Sequence, residues 1–474
     1  MTIKFFNSLS RSKEVFKPLT DKEVRIYSCG PTVYNFVHIG NLRAYVFVDL
    51  LRRYLKYKGF KIRHVMNITD IDDKIIQNSR VAEKSLYEFT SFYTNAFIED
   101  LKKLNIEMPE IMPKATDSIP EMVELVKILK EKGFAYEKNG TWYFKISNFK
   151  DYGALAHINT SEFKTNWDGR LTNEDTYEKD DARDFALWKA YSEEDKDIFW
   201  NTEIGKGRPG WHLECSAMSV KYLGQPFDIH TGGVDLIFPH HTNEIAQSEA
   251  AFGKKLVNMW LHNEHLLVNG EKMSKSLGNF FTLRDLLAKG YNPMAIRYQL
   301  LGVHYRQQLN FTEEALISIS STLQRIYDFI DRLKNKEDES PSEENNICPA
   351  VQEAIKQAAA EFESCLDDDL NISGALGAVF TFMRTINKLM DSENIGPGGI
   401  KAARDLINRF DGVLGICLRE KDLIPPEIMD MVEERYAAKK MKDFAKADAI
   451  RDKIKSLGFI LEDTPKGTTV KPVS

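Results

Sequence analysis

The first part of the chain combines two kinds of hydrophobic pattern. Residues 24–29 (VRIYSC) and 61–68 (KIRHVMNI) are short β-branched and aromatic runs, which predicts two strands. Between these runs, apolar residues recur with a helical period at Phe47, Leu50, Leu51, Tyr54 and Leu55. A strand, a helix and a strand in this order predict a βαβ unit and a parallel sheet. Ligands of such sheets usually bind beyond the carboxyl ends of the strands, where Cys29 and the residues up to Asn41 fall.

The pattern then changes and later returns. Two aromatic-rich runs flank Asn139-Gly140, which predicts a β-hairpin that opens an insertion. From about 150–200 the pattern is irregular and polar. Further strands of the parallel sheet are predicted at 227–233 and 258–268.

Helical patterns dominate the rest of the chain. Residues 282–334 are predicted to be helical, and the polar stretch 334–346 has the composition of a linker. Amphipathic helices are predicted over 350–415, with an interruption at 395–399 (IGPGG). The last segment, 427–474, contains two charged helices and a tail.

Composition narrows the class of protein. The chain has 474 residues, of which 43% are hydrophobic and 28% charged, so a peptide-sized module and a largely disordered chain are excluded. No stretch approaches the roughly 18 apolar residues of a membrane span. The formal net charge of −6 excludes a globally basic nucleic-acid coat but not a local basic face.

The five cysteines are widely scattered, at Cys29, Cys215, Cys348, Cys365 and Cys417. An odd, scattered set in a long chain is unlike a disulfide framework, so we expect a reducing, cytoplasmic compartment. The first residues lack the apolar core of a secretory signal.

Two short strings suggest phosphate chemistry. Residues 272–276 read KMSKS in a loop flanked by glycines, and two lysines with two hydroxyls offer cations and donors to a polyphosphate. The alternative is a solvated basic turn. His38 and Asn41 share one face at the start of the first helix, where Gly40 lets a ligand approach amides that favour phosphate. Taken alone, a His at this position is more often a cap or a surface residue.

Spacing also allows a metal site. His240 and Glu244 form an i, i+4 pair on a predicted helix, while Cys29 ends the first strand and Cys215 lies near a helix start. Four such ligands would fill or nearly fill a tetrahedral zinc shell. Two buried cysteines without a metal remain the alternative, and His241 also lies toward Glu244.

The two strings resemble the HIGH and KMSKS signatures of class I aminoacyl-tRNA synthetases. The surrounding sequence is similar to the cysteinyl-tRNA synthetase family over almost the whole chain. The segments that carry this resemblance are YSCGPTVYNFVHIGNLR (27–43), NITDIDDKII (67–76), RPGWHLECSAMS (208–219), DIHTGGVDLIFPHHTNEIAQSEA (228–250) and EKMSKSLGNFFT (271–282).

The resemblance implies a role for each matching residue. The implied catalytic residues are His38, Asn41, Lys272 and Lys275, and the implied ATP-binding residues are His38, Gly40, Asn41, Asp235 and Lys275. The implied contacts to the substrate cysteine are Thr69 and Trp211. The implied ligands of one Zn²⁺ per subunit are Cys29, Cys215, His240 and Glu244, with His240 chosen over His241 by motif position.

The implied activity is that of a cysteine–tRNA ligase, with ATP, Mg²⁺, cysteine and tRNA(Cys) as partners. Zinc would select the substrate thiol, because cavity shape separates such near-isosteres by only about 1 to 3 kcal/mol. Two alternatives are a cysteine–amino-sugar ligase of mycothiol synthesis and a non-catalytic zinc- or RNA-binding paralogue. Residues 347–474 argue against the first, and the two intact signatures argue against the second. A monomer is expected.

The implied fold is α/β, with a Rossmann-type parallel-sheet catalytic domain followed by helical and anticodon-binding parts. We expect a catalytic domain at 1–310 with an insertion at about 134–205, then a helical stem and linker at 311–346. A helical tRNA-binding bundle is expected at 347–424 and an anticodon-binding module at 425–474.

Two departures from the family pattern affect this interpretation. The first signature carries Asn41 as its fourth residue, which keeps a hydrogen-bond donor but no charge. Near the C-terminus Val470 replaces a residue that is often aromatic, so stacking on an anticodon base, typically worth about 1 to 3 kcal/mol, is not available from it. Anticodon recognition is therefore expected to be weaker or to use other residues.

Overall fold

The computed structural model describes residues 2–158, 184–274, 277–339, 347–392, 395–419, 426–464 and 467–472. The chain divides into two compact units, Met1–Leu414 and Gly415–Ser474. No helix among these described residues is long and apolar enough to cross a membrane.

The first unit begins with strands and helices that build three sheets. In chain order they are β1 (Lys4–Asn7), β2 (Ser12–Val15), β3 (Glu23–Ser28), α1 (Ile39–Tyr57), β4 (Lys61–Met66), α2 (Asp73–Val81), α3 (Leu86–Lys103), α4 (Ile119–Glu131), β5 (Ala135–Lys138), β6 (Thr141–Phe144), β7 (Phe185–Ala190), β8 (Trp200–Thr202), β9 (Gly205–Pro209), α5 (Trp211–Leu223), β10 (Phe227–Gly233), α6 (Thr242–Phe252) and β11 (Val257–Asn263).

The central sheet is parallel, in the order β11-β10-β3-β4. Its strands are rich in β-branched and aromatic residues, and α1 packs its apolar face against them. The βαβ unit predicted from residues 24–68 is confirmed. All four strands end at the same edge, so the residues after Ser28, Met66, Gly233 and Asn263 lie along one side of the sheet.

The insertion forms a five-stranded antiparallel sheet in the order β5-β6-β7-β9-β8. The predicted hairpin at Asn139-Gly140 is confirmed, and both residues have the positive φ of a two-residue turn, 52° and 81°. The prediction of irregular structure at 150–200 is wrong for β7. That strand is stabilised by distant partners, with Trp188 opposite Trp142, which the local pattern does not reveal. Residues 159–183 lie outside the described residues.

The rest of the first unit is largely helical. It consists of β12 (Leu266–Val268), β13 (Glu271–Lys272), α7 (Leu283–Ala288), α8 (Pro293–Leu301), β14 (Leu309–Phe311), α9 (Glu313–Glu339), α10 (Pro349–Asp367), α11 (Ile372–Asp391) and α12 (Gly396–Leu414). The segment 258–268, predicted as one strand, contains two strands, because the chain turns at Glu264 and His265 and enters a separate sheet of order β13-β12-β14. The predicted linker begins later than expected, since α9 extends to Glu339, and residues 340–346 lie outside the described residues.

The helical region contains a break that the sequence pattern did not predict. α10 and α11 are separated by a turn in which Asp369 and Leu370 both have positive φ, 62° and 54°. The predicted interruption near 395–399 is confirmed, because α11 ends at Asp391 and α12 begins at Gly396. The Gly-Pro-Gly-Gly string itself already belongs to α12, since a helix tolerates proline in its first turn.

The second unit is small and has its own apolar core. It consists of α13 (Pro426–Lys440), α14 (Phe444–Ser456), β15 (Phe459–Thr464) and β16 (Gly467–Pro472), and the two strands form an antiparallel hairpin. The two predicted helices are confirmed, whereas the predicted tail is the second strand of this hairpin. Val470 lies opposite Leu461 and is buried, so it belongs to the core of this unit.

Candidate active site and metal centre

The first signature lies at the start of α1. His38 is the N-cap residue, and its Nδ1 accepts a hydrogen bond from the Asn41 backbone N–H at 3.2 Å. A Cβ on Gly40 would lie 2.9 Å from the His38 ring and 3.3 Å from the Met273 methyl group, so only glycine fits there. Burial lowers the pKa of His38, although Asp235 opposes this effect. The helix start therefore offers backbone amides next to a neutral imidazole.

The second signature is close to the first. Lys272 ends β13 and is exposed, while Lys275 lies outside the described residues. After the KMSKS string in the sequence, the Phe280 ring contacts the His38 ring at a centroid distance of 5.3 Å, and the Phe281 carbonyl accepts from the Ile39 N–H at 3.0 Å. The fold thus brings together two strings that are more than 200 residues apart in the sequence.

Cys29, Cys215, His240 and Glu244 meet beyond the end of β3. The two sulfur atoms are 4.0 Å apart, and His240 Nε2 lies 3.0 Å from Glu244 Oε1. One potential ligand atom from each residue lies within 4.8 Å of the others, and three of the four residues are buried. Thiols, an imidazole and a carboxylate at these separations match the donor set of a zinc site.

A second grouping shares part of this cluster. Cys29, His230, His241 and Glu244 also lie within 4.8 Å of one another. His241 Nε2 is 3.4 Å from Cys29 Sγ, and its Nδ1 is 2.8 Å from His262 Nε2. The geometry therefore leaves both His240 and His241 near the cysteines.

Charges in the cluster favour a buried cation. Burial alone would raise the pKa of Glu244, but His230 and His240 outweigh it and lower this pKa to about 2. Burial likewise opposes protonation of His240, yet Cys215 and Glu244 raise its pKa to about 10. The hydrogen bond from Cys29 lowers the pKa of Cys215 to about 6. A buried imidazolium surrounded by anionic donors indicates that the site stabilises positive charge, as a divalent metal would require.

The residues expected to contact substrate cysteine border this cluster. Trp211 is 43% exposed, and its ring centroid lies 4.4 Å from that of His240. Thr69 is buried, and its hydroxyl donates to Glu214 Oε2 at 3.0 Å. The exposed ring of Trp211 therefore lies beside the candidate metal donors at the edge of the sheet.

Asp235 follows β10 and lies nearer the first signature. One of its carboxylate oxygens is 2.3 Å from where a Cβ on Gly233 would be, so a side chain at this position would displace the carboxylate. The electrostatic effects of Asp235 on His38 and on Cys29 indicate that it lies near both the start of α1 and the candidate metal donors. Asp72, which follows β4, caps α2 by accepting from the Ile75 N–H at 2.7 Å.

The sequence interpretation missed several residues of the site. His230, His262 and Glu214 are buried beside the cluster, and Glu214 has a pKa raised well above its usual range by burial. His230 Nε2 lies 2.9 Å from Glu244 Oε2, which holds that carboxylate in place. The sequence could have indicated His230 and Glu214, since each lies in a segment that also contains a predicted metal ligand.

Comparison with known proteins gives consistent results. The family model described as "tRNA synthetases class I (C) catalytic domain" matches residues 15–346, and the DALR domain model matches residues 361–419. The chain is 50% identical to a cysteine–tRNA ligase of Brachyspira hyodysenteriae over 99% of both chains. It is 50% identical to one of Leptospira interrogans over 98% of both, and 47% identical to one of Solibacter usitatus over 99% of this chain and 100% of the other.

Solved structures support the fold. A methionyl-tRNA synthetase of Mycobacterium tuberculosis in complex with methionyl-adenylate matches with a TM-score of 0.59 and 16% identity, covering 84% of this chain and 90% of the other. A leucyl-tRNA synthetase of Agrobacterium radiobacter matches with a TM-score of 0.57 and 12% identity, covering 85% of both chains. At this level of identity the likeness concerns the fold alone.

Proposed function

The chain belongs to the cysteinyl class I aminoacyl-tRNA synthetases, and we propose that a zinc ion bound by Cys29, Cys215, His240 and Glu244 selects the substrate thiol in its cysteine–tRNA ligase reaction. The convergence of these four donors beside Trp211 is the observation that carries this proposal. Cysteine–tRNA ligases that match over the full length favour this activity over an amino-sugar ligase or a non-catalytic paralogue.

The reaction has two steps. A cysteine carboxylate oxygen attacks the α-phosphorus of ATP, which forms cysteinyl adenylate and releases pyrophosphate. The terminal adenosine of tRNA then attacks the activated carbonyl through a ribose hydroxyl, which forms the ester and releases AMP. Neither step needs a nucleophile from the protein, so positioning and charge stabilisation account for catalysis.

The start of α1 and the KMSKS loop are proposed to bind the ATP phosphates together. His38 and Asn41 contact the phosphates, and Gly40 lets them approach the helix amides, as the tight contacts around Gly40 support. Lys272 and Lys275 stabilise the charge that develops on the phosphates, with Mg²⁺ accompanying ATP. Asp235 contacts the adenosine of ATP.

Thiol selection is the task that the metal donors explain. Zinc supplies a thiophilic Lewis acid that binds a thiolate far better than a hydroxyl. We assign His240 as the imidazole ligand because it belongs to the donor set that contains both cysteines, and its Nε2 lies 3.0 Å from Glu244 Oε1 whereas that of His241 lies 4.0 Å away. Trp211, beside His240, and Thr69, bonded to Glu214, position the rest of the amino acid.

The remaining assignments concern tRNA and cellular context. We propose that the domains at 1–310, 311–346, 347–424 and 425–474 serve catalysis, connection, tRNA binding and anticodon binding. The basic residues of α14 would face RNA phosphates. The protein is proposed to act in the cytoplasm as a monomer, which light scattering of the purified protein tests.

Cysteine-dependent ATP–pyrophosphate exchange, with serine as control, tests the selection by zinc. Exchange with cysteine should fall when the metal is stripped and return when Zn²⁺ is added. A metal-free preparation that still preferred cysteine over serine by several orders of magnitude would contradict the role of zinc. A folded, zinc-loaded sample without any exchange would contradict the reaction itself.

A further inference from the structure

A buried arginine connects the two signatures. Arg43 lies on α1, two residues after Asn41, and is 2% exposed. Its Nη1 donates to the carbonyls of Glu264 and His265 at 2.7 and 2.6 Å. These two residues join β11 to β12, the strand that pairs with β13 and Lys272. Arg43 therefore fixes the helix that begins with the first signature to the segment that leads into the second.

The other side of the same guanidinium is held by a loop after α8. Arg43 Nη2 donates to the carbonyl of His304 at 3.4 Å and to that of Gln307. All four acceptors around Arg43 are backbone oxygens, so their positions depend on how firmly each loop is held. A guanidinium needs several acceptors in fixed directions, and a shift of one loop would change its position.

A buried carboxylate from the helical region holds this second loop. Asp369 is 0% exposed, and its Oδ1 accepts from the Tyr305 hydroxyl at 2.5 Å and from the Phe6 N–H at 2.9 Å. Its Oδ2 accepts from Arg306 Nε and Nη2 at 2.8 and 2.6 Å. The Asp369 carbonyl also accepts from His304 Nε2 at 2.8 Å. One residue thus contacts three consecutive residues of the loop that faces Arg43.

The local backbone is shaped for this contact. Asp369 and Leu370 have positive φ, which turns the chain sharply between α10 and α11 and directs the carboxylate into the catalytic region. The preceding Asp368 is exposed and pairs only on the surface, with Lys13 at 2.7 Å. Two adjacent aspartates therefore differ in burial and in what they contact.

We propose that Asp369 is a positioning residue for adenylate formation. It fixes the loop at 304–307, whose carbonyls hold Arg43, and Arg43 sets the separation between the start of α1 and Lys272. The inference rests on the proposed function of the two signatures in ATP binding. It assigns to the α10–α11 turn a role in catalysis through Arg43, without contact to substrate.

Asp369→Asn tests this role with a matched control. Asparagine keeps the shape and tolerates positive φ, but it loses the charge that holds Arg306. We expect kcat of cysteine-dependent ATP–pyrophosphate exchange to fall by about 10- to 100-fold, because small misplacements of reacting groups have effects of this size. KM for cysteine should stay within about twofold, since the metal donors are not touched. Asp368→Asn should leave both constants unchanged.

Amide hydrogen exchange gives a readout that does not depend on activity. In Asp369→Asn, protection should fall at 264–268 and 304–307 but not along β3 and β4. Unchanged protection at these two segments, or unchanged kcat, would overturn the proposal. Equal losses in Asp368→Asn, or a parallel loss of cysteine binding, would also overturn it by indicating general destabilisation.

Tyr305→Phe is a second, milder variant that removes a single hydrogen bond to Asp369. We expect a smaller decrease of kcat in the same direction, and an increase or no change would contradict the proposal. If the proposed function itself were wrong, the unmodified protein would show no exchange with cysteine, which separates this failure from a failure of the proposal on Asp369. The protection pattern of Asp369→Asn would still decide whether Asp369 holds the loop.

Discussion

The choice between the two candidate metal-ligand sets can be tested by removing one donor at a time. We compare His240→Ala with His241→Ala and add Cys215→Ser, because Cys215 belongs only to the set that contains His240. Our proposal predicts that His240→Ala and Cys215→Ser lose a direct ligand. His241→Ala loses only a neighbouring ring, which is 3.4 Å from Cys29 Sγ and 2.8 Å from His262.

The expected magnitude follows from the number of donors. Binding of structural zinc is worth about 10 to 16 kcal/mol, so each of four donors accounts for about 2.5 to 4 kcal/mol. Loss of one donor should then weaken zinc binding by about 100- to 1000-fold. Loss of a supporting ring should have a smaller effect, about tenfold, near the low end for residues that orient metal ligands.

Competition with a chromophoric zinc chelator at fixed pH measures these affinities. Cobalt substitution adds an independent readout, because two thiolates give about twice the charge-transfer absorption of one, and Cys215→Ser should halve it. Cys365→Ser, in α10, is the matched control and should change neither quantity. Normal zinc affinity in His240→Ala and Cys215→Ser, with a large loss in His241→Ala, would refute the assignment and favour the second set.

Three further predictions concern single side chains. Burial raises the pKa of Asp100 from 3.8 to about 6, so the folded protein binds this proton more tightly than the unfolded chain and stability is lost as pH rises through this interval. In urea unfolding, Asp100→Asn should remove this loss of about 3 kcal/mol. An unchanged pH profile of the variant would contradict this. Arg297→Met should destabilise the protein by about 1 to 3 kcal/mol, because it leaves buried Asp49 paired with Arg53 alone and removes the donor to the Leu104 and Leu414 carbonyls. Lys127→Met on the surface should cost almost nothing. Trp211→Ala should raise KM for cysteine by about tenfold and leave KM for ATP unchanged. A raised KM for ATP with an unchanged KM for cysteine would show that Trp211 does not contact the substrate cysteine.

The sequence determined the local structure around the first signature well. The β-branched runs and the helical period of residues 24–68 are set by what each element buries, so the βαβ unit could be predicted before any tertiary contact was known. The same reasoning failed for β7 and for the turn at Asp369. β7 depends on pairing with distant strands, and the turn depends on contacts with a loop far away in the sequence.

The chemistry divides in the same way. The strings that contain His38, Lys272 and Cys215 identified the candidate residues, because signature motifs preserve residue type and spacing along the chain. Only the tertiary structure brought Cys29 to 4.0 Å from Cys215, 186 positions away, and surrounded Glu244 with imidazoles. Distances between residues far apart in the chain, and the burial that shifts their pKa values, arise from packing of the whole unit. The sequence alone therefore identified the candidate metal ligands, and the tertiary structure determined which of them lie close together.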